Sequence, residues 1–321
     1  MIDVLFVLLP HTLLLDLAGP AETFRLANQH LQRRGLPPAF QLRYVAPEPQ
    51  APTSVGATLA SLEPLPARVE RPTWVVLLGL PGDGDAALRR HLQPSRAWLA
   101  TRQWLNDVVA PALGAQAELM TVCSGALLAA DAGLLHGRRC TTHHELVDVL
   151  RTCAPGALVN PYRVYVIDGP VATSAGVTAG IDLALFLVGR ECGDALASAV
   201  ARDMVVYLRR GPDDPEISPL LQHRQHLHPA VHRVQDAVSE RPAEDWSLQA
   251  LADVAHVTPR HLGRLFKEHA GLSPREYVER IRAALAQQAL QQGASVNAAS
   301  EMAGFASPRQ WRRARARVSA L

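Results

Sequence analysis

Cys123 stands between an apolar run, residues 119–122, and the small residues Ser124, Gly125 and Ala126. If a strand turns sharply into a helix there, the thiol sits at a helix N-terminus, where the backbone field favours thiolate. Small residues beyond it permit a tight elbow. This pattern predicts an exposed, functional cysteine; its alternative is an inert packed thiol. Other apolar runs also end in polar or glycine-rich turns. Asp16 follows the first run and precedes Gly19 and Pro20. Gly79 and Gly82 lie in LLGLPGDGD, where a loop can turn backbone N–H groups towards an oxyanion. His143 and His144 follow GLLHGRRCTT, and Ser174, Ala175 and Gly176 close VATSAG. Cys123, Asp16 and His143 together could support a thiolate nucleophile with an acid partner. Their plainer roles are a helix cap near Pro20 for Asp16 and a satisfied structural histidine for His143.

These groups need a scaffold. Residues 4–9, 41–46, 74–78, 119–122 and 164–167 read as strands, and 20–34, 95–109, 124–132 and 179–190 as helices. Continuous apolar strands separated by helices argue for a parallel sheet covered on both faces. Ligands of such sheets bind beyond the carboxyl ends of the strands. One pocket is therefore expected to collect Gly79, Gly82, Cys123, Ser124, His143 and Ser174. The stretch 211–219, GPDDPEISP, is a breaker-rich linker. After it the pattern is helical throughout. The expected division is an α/β domain over 1–210, a linker over 211–229 and a smaller all-α domain over 230–321.

A chain of 321 residues exceeds one ordinary core, which agrees with two domains. No apolar run reaches the roughly 20 residues of a membrane span. The opening MIDVLFVLLPHTLLLD lacks a basic n-region and reads as a buried strand, not a signal peptide. Cys123, Cys140, Cys153 and Cys192 have neither metal-type nor disulfide-framework spacing, so a reducing cytoplasm is expected. His223, His226, His228 and His232 lack accompanying ligands; no metal and no cofactor are expected. Net charge is +2 but uneven: residues 230–321 hold 13 Lys+Arg against 9 Asp+Glu. Arg309, Arg312, Arg313, Arg315 and Arg317 crowd the end.

That basic region is punctuated by Thr258-Pro259, Ser273-Pro274 and Ser307-Pro308. Each places a hydroxyl at an N-cap and proline at the first helical position, where its missing N–H costs nothing. Glu276, three residues after Ser273, completes a capping box. In the helix after Thr258, Leu262, Leu265, Phe266 and His269 form an inward stripe. Arg260, Gly263, Arg264 and Lys267 form the opposite one. An apolar back with a basic front suits the major groove of double-stranded DNA; the alternative is a solvated charged face.

The segment LADVAHVTPRHLGRLFKEHAGLSPREYVERIR resembles the AraC/XylS-type DNA-binding domain, two helix-turn-helix units joined by a long helix. The resemblance implies that Arg260, Gly263 and Arg264 occupy base-contacting positions, Gly263 replacing a polar residue. The second unit, VNAASEMAGFASPRQWRRARAR, departs further. Trp311 can fill its apolar slot, but Ala299 and Ser300 replace other residues and Arg315 stands where the family buries Phe. A degenerate or truncated second unit is expected, with Arg309, Arg312 and Arg313 still able to meet phosphates. The segments VCSGALLAADAGLLHGRR and TSAGVTAGIDLAL resemble the DJ-1/PfpI superfamily, in particular its GlxA-like regulator branch. That resemblance implies a flavodoxin-like parallel sheet sandwiched by helices. It aligns Cys123 with an elbow cysteine, Asp16 with the acidic residue that meets it, and His143 with a histidine of the TTH segment; His144 replaces a usual Trp. The expectation is a dimeric cytoplasmic regulator, not an enzyme, that binds a small-molecule effector and DNA. A cysteine-dependent hydratase or amidase with a vestigial tail, and a Cys123 redox or electrophile sensor, are the alternatives.

Overall fold

The structure, a computed structural model, describes residues 1–161, 163–176, 178–206, 223, 226, 228–291 and 294–319. The expected linker segment 211–219 lies outside them. The chain divides into two compact units, Met1–Glu216 and Ile217–Leu321.

The first unit contains strands β1 (Ile2–Val7), β2 (Phe40–Ala46), β3 (Gln50–Pro52), β4 (Thr58–Ala60), β5 (Glu63–Pro64), β6 (Thr73–Leu77), β7 (Ala117–Val122), β8 (Arg139–Cys140), β9 (Leu158–Val159), β10 (Tyr165–Asp168) and β11 (Val171–Ser174). Its helices are α1 (Leu14–Arg33), α2 (Gly84–Leu92), α3 (Arg96–Trp104), α4 (Ala110–Ala112), α5 (Gly125–Asp131), α6 (Val147–Cys153), α7 (Ala179–Cys192) and α8 (Asp194–Asp203). Seven strands form one sheet in the order β10-β11-β7-β6-β1-β2-β5. β1 explains why both faces are covered. Val4, Phe6 and Leu8 enter one apolar cluster with Phe24, Leu183 and Val200, while Leu5, Val7 and Leu9 enter another with Trp98, Leu127 and Leu150. Alternate side chains of a strand point to opposite faces, so an unbroken apolar strand must be buried twice.

The expected parallel sheet is present and carries one antiparallel pair, β10 with β11 at one edge. Residues 169 and 170 supply a tight turn there, with Gly169 at φ 58°. The first helix does not begin at Pro20 but at Leu14, and Pro20 lies inside it. The loss of one helical N–H is outweighed by burial of Leu17, Ala21, Phe24 and Ala27 along the same face.

The second unit is a set of helices: α9 (Pro229–Glu240), α10 (Leu248–Ala255), α11 (Pro259–His269), α12 (Pro274–Gln291), α13 (Val296–Met302) and α14 (Pro308–Ser319). The three punctuated starts are caps. Thr258 Oγ1 accepts from the His261 N–H at 3.3 Å and Ser307 Oγ from the Gln310 N–H at 3.3 Å. The Ser273 box closes both ways: Oγ accepts from the Glu276 N–H at 3.2 Å, and Glu276 Oε2 accepts from the Ser273 N–H at 2.7 Å. α13 and α14 pack around Ala283, Ala286, Ala303, Phe305, Trp311 and Ala314, a core largely of alanine. Ser300 is buried there with its hydroxyl donated to the Val296 carbonyl at 2.8 Å. The Arg315 side chain lies outside the described residues.

Histidines gather at the edge of this unit. The His228 and His269 rings are 4.6 Å apart, and those of His226 and His232 4.5 Å. His223 fits the fold as the neutral ring that donates Nδ1–H to the Ala270 carbonyl at 3.0 Å and accepts from Arg280 at 3.1 Å. Burial and Arg280 hold its pKa below the usual histidine value; burial and the rings of His232, His269 and His228 do the same for His226. The unfolded chain therefore takes up protons near pH 6.5 that the fold refuses, so stability falls as pH drops below that value. The expected result is a downward shift of this unit's melting transition between pH 7.5 and 5.5. A His223→Gln, His226→Gln double variant should flatten the shift; an equal shift in that variant would remove these rings as the cause.

Candidate functional site

In the α/β unit the chain leaves β1 for α1 on one face of the sheet and leaves the neighbouring β6 for α2 on the other. Loops diverging from adjacent parallel strands open the crevice in which such sheets hold ligands. Asp16 in the first turn of α1 and Gly79 just after β6 meet there: the Gly79 N–H donates to Asp16 Oδ2 at 3.0 Å. Cys123 directly follows β7 and also lies against Gly79. A Cβ built on Gly79 would lie 2.5 Å from Asp16 Oδ2 and 3.0 Å from Cys123 Cβ. Three residues far apart in sequence thus share one contact, and only a glycine lets the carboxyl and the cysteine approach so closely.

The elbow is real and strained. Cys123 has φ 55°, the left-handed region that side-chain-bearing residues avoid. Its backbone is pinned on two sides: its N–H donates to the Ser174 carbonyl at 3.0 Å, and its carbonyl accepts from Thr142 Oγ1 at 3.0 Å. The thiol expected to be exposed is covered, at 6% exposure. It is buried because β7 and α5 continue the core directly through the turn. Asp16 is fully buried, and burial pushes its carboxyl up to about 7, against the pull of the Gly79 N–H. Its Oδ1 is buried without a hydrogen-bond partner among the described residues. Near neutral pH such a carboxyl is available both as proton donor and as acceptor.

The other expected site residues divide. Ser124 is committed to the loop after β6: its Oγ accepts from the Leu80 N–H at 2.7 Å and donates to the Leu80 carbonyl at 3.0 Å. The Ser174 hydroxyl is buried and donates to the Thr121 carbonyl at 3.1 Å. Both hydroxyls therefore hold the elbow's backbone. Gly82 has φ 126° and faces Arg90, whose Nη1 donates to the Pro81 carbonyl at 2.6 Å. The sequence pattern passed over Arg90, because nothing in its neighbourhood on α2 marks it as lying under that loop. His143 is next to Thr142; its Nδ1 is 3.8 Å from Glu145 Oε2 and its ring 4.2 Å from that of His144. Two surface clefts, of about 310 and 280 Å³, lie elsewhere, lined by residues that include Asp3, Arg43 and Arg71 in one and Val69 and Asp107 in the other.

In the helical unit, Leu262, Leu265 and Phe266 of α11 are buried, and Arg260, Arg264 and Lys267 are exposed. His269, expected in the same inward stripe, is half-buried against His228. On α14, Trp311 and Ala314 are buried while Arg309, Arg312 and Arg313 are exposed. Arg25, Arg151 and Arg241 each lie beside a carboxylate. By contrast Arg260, Arg264, Lys267, Arg309 and Arg312 have no carboxylate within ion-pair distance among the described residues. Arg264 meets His261 Nδ1 at 3.2 Å, and Lys267 the Gly271 carbonyl at 3.4 Å.

A family model described as DJ-1/PfpI family matches residues 97–190, and one described as a helix-turn-helix domain matches residues 251–320. The chain joins a DJ-1/PfpI domain to an AraC-type helix-turn-helix domain. It is 32% identical over 192 residues to the HTH-type transcriptional regulator GbdR of Pseudomonas aeruginosa, covering 59% of this chain and 52% of that one. It is 36% identical over 142 residues to an isonitrile hydratase of Pseudomonas putida, covering 42% of this chain and 60% of that one. The chain thus spans about half the length of the regulator and three-fifths of the hydratase. A solved structure of an AraC family transcriptional regulator from Pseudomonas putida superposes with a TM-score of 0.52 at 22% identity, over 64% of this chain and 100% of that one. That likeness concerns the fold. No described helix is long and apolar enough to cross a membrane.

Proposed function

We propose that the protein is a transcription regulator that binds double-stranded DNA through α11 and senses a small molecule in its DJ-1/PfpI domain. The observation that carries the DNA half is the outward row of cations on α11, Arg260, Arg264 and Lys267, with no carboxylate within ion-pair distance among the described residues. Desolvated arginines gain by bidentate contact with guanine edges or phosphates, and unpaired ones need break no ion pair first. Arg309, Arg312 and Arg313 add charge from the second helix-turn-helix. The likeness to regulators named as HTH-type supports the same reading. The effector half is supported by the Asp16–Gly79–Cys123 junction at the crevice between β1 and β6, with Gly82 and His143 on segments beside it. The protein acts on this reading in the cytoplasm, as a homodimer.

Anisotropy titration of the full chain against duplexes recovered from genomic DNA tests it. Arg264→Ala should weaken binding by about five- to a hundredfold and lower the salt dependence by roughly one ion. Unchanged affinity in that variant would defeat the assignment of α11. A second reading, a cysteine-dependent hydratase, draws on the same junction: a buried acid at about 7 beside a strained cysteine suits nucleophilic or acid-assisted addition. Turnover of an isonitrile, abolished by Cys123→Ser, would establish it.

A further inference from the structure

Gly263 sits at the centre of the cationic face of α11. It is three residues after Arg260 and four before Lys267, with Arg264 following it, so it lies on the side of the helix that carries the cations. A Cβ built there meets nothing within 4 Å among the described residues. Gly263 is not among the positive-φ residues. Neither packing nor backbone conformation therefore requires a glycine, and alanine would favour the helix. What remains is the side the face presents outward.

We infer that Gly263 is a specificity-determining gap: it faces the duplex, and the base pair beneath it is left without a side-chain contact, between positions engaged by the flanking cations. This rests on the DNA-binding reading of α11 and adds to it the position that the helix does not read. A recognition helix places consecutive outward residues over neighbouring base edges, so a missing side chain removes hydrogen-bond readout at one step and leaves its neighbours intact.

Selection of bound duplexes from a randomised library, run in parallel with the wild-type chain, Gly263→Ala and Gly263→Gln, tests this. Both substitutions improve helix propensity, and melting should rise by about 4–8 °C at most, so loss of fold is not the expected confounder. The wild type should enrich a defined site with one tolerant pair inside it. Gly263→Ala should enrich the same site. Gly263→Gln should enrich that site with one change, an adenine preference of about fivefold or more at the tolerant pair, because glutamine pairs bidentately with adenine. Identical base frequencies from the wild type and Gly263→Gln would overturn the inference while leaving α11 a DNA reader. Enrichment of no duplex by the wild type would overturn both.

Discussion

Replacing Gly125 with alanine is expected to cost the α/β domain about 3 kcal/mol or more, the upper range for overpacking a rigid site. Gly125 is the first residue of α5 and lies directly against the end of β6. An added Cβ would overlap the Leu77 carbonyl oxygen and lie 2.8 Å from its carbon. Both partners are backbone in the middle of the sheet, so no flexible side chain can swing aside. The helix would have to lift, and Ala126, Leu127, Leu128 and Ala129, all at 4% exposure or less, would lose their packing. Cys123 offers no slack, since its φ of 55° is already unfavourable and both its backbone groups are tied. Denaturant unfolding followed in the first domain measures the loss. A variant within 0.5 kcal/mol of wild type, the usual scatter of a harmless surface change, would show that the elbow is more compliant than these contacts imply.

Asp16→Asn is expected to stabilise the same domain at pH 8 and to leave it nearly unchanged at pH 4. The folded state holds a proton on Asp16 up to about pH 7, whereas the unfolded chain releases it near pH 4. Between those values the native state binds more protons, so wild-type stability declines as pH rises through the window. One pKa unit corresponds to about 1.4 kcal/mol, which puts the decline at about 3 kcal/mol after allowance for relaxation around the buried charge. Asparagine keeps an acceptor for the Gly79 N–H and carries no ionisable group, so the decline should vanish with it. Paired unfolding curves of the two proteins from pH 4 to pH 8 supply the measurement. Parallel curves would mean that Asp16 ionises in the fold at its ordinary pH. The result also bears on effector sensing, because a neutral Asp16 can offer its Oδ1 proton inside the crevice and an ionised one cannot.

Much of this protein was legible along the chain because the signals concerned are local. A hydroxyl followed by proline favours a capped helix start wherever it occurs, and Thr258, Ser273 and Ser307 are caps at the expected places. Runs such as VLFVLL are apolar on both alternating faces, which is enough to require a sheet covered twice. The same locality explains the misreading of Pro20. Its intrinsic preference for a helix start was overridden by a buried face that continues on both sides of it.

What only the folded molecule decided is which distant groups meet and which do not. The residue types already announced an acid, a glycine turn and a cysteine elbow. That Asp16 and Cys123 close on Gly79 follows from β7, β6 and β1 lying side by side, an order set by long-range strand pairing. Burial was likewise decided in three dimensions: the cysteine placed by its turn at a helix end is covered, and desolvation makes Asp16 a weak acid. So was the pairing of charges, since α11 carries its basic front in the sequence, but whether carboxylates neutralise that front depends on neighbours that the chain's order does not reveal.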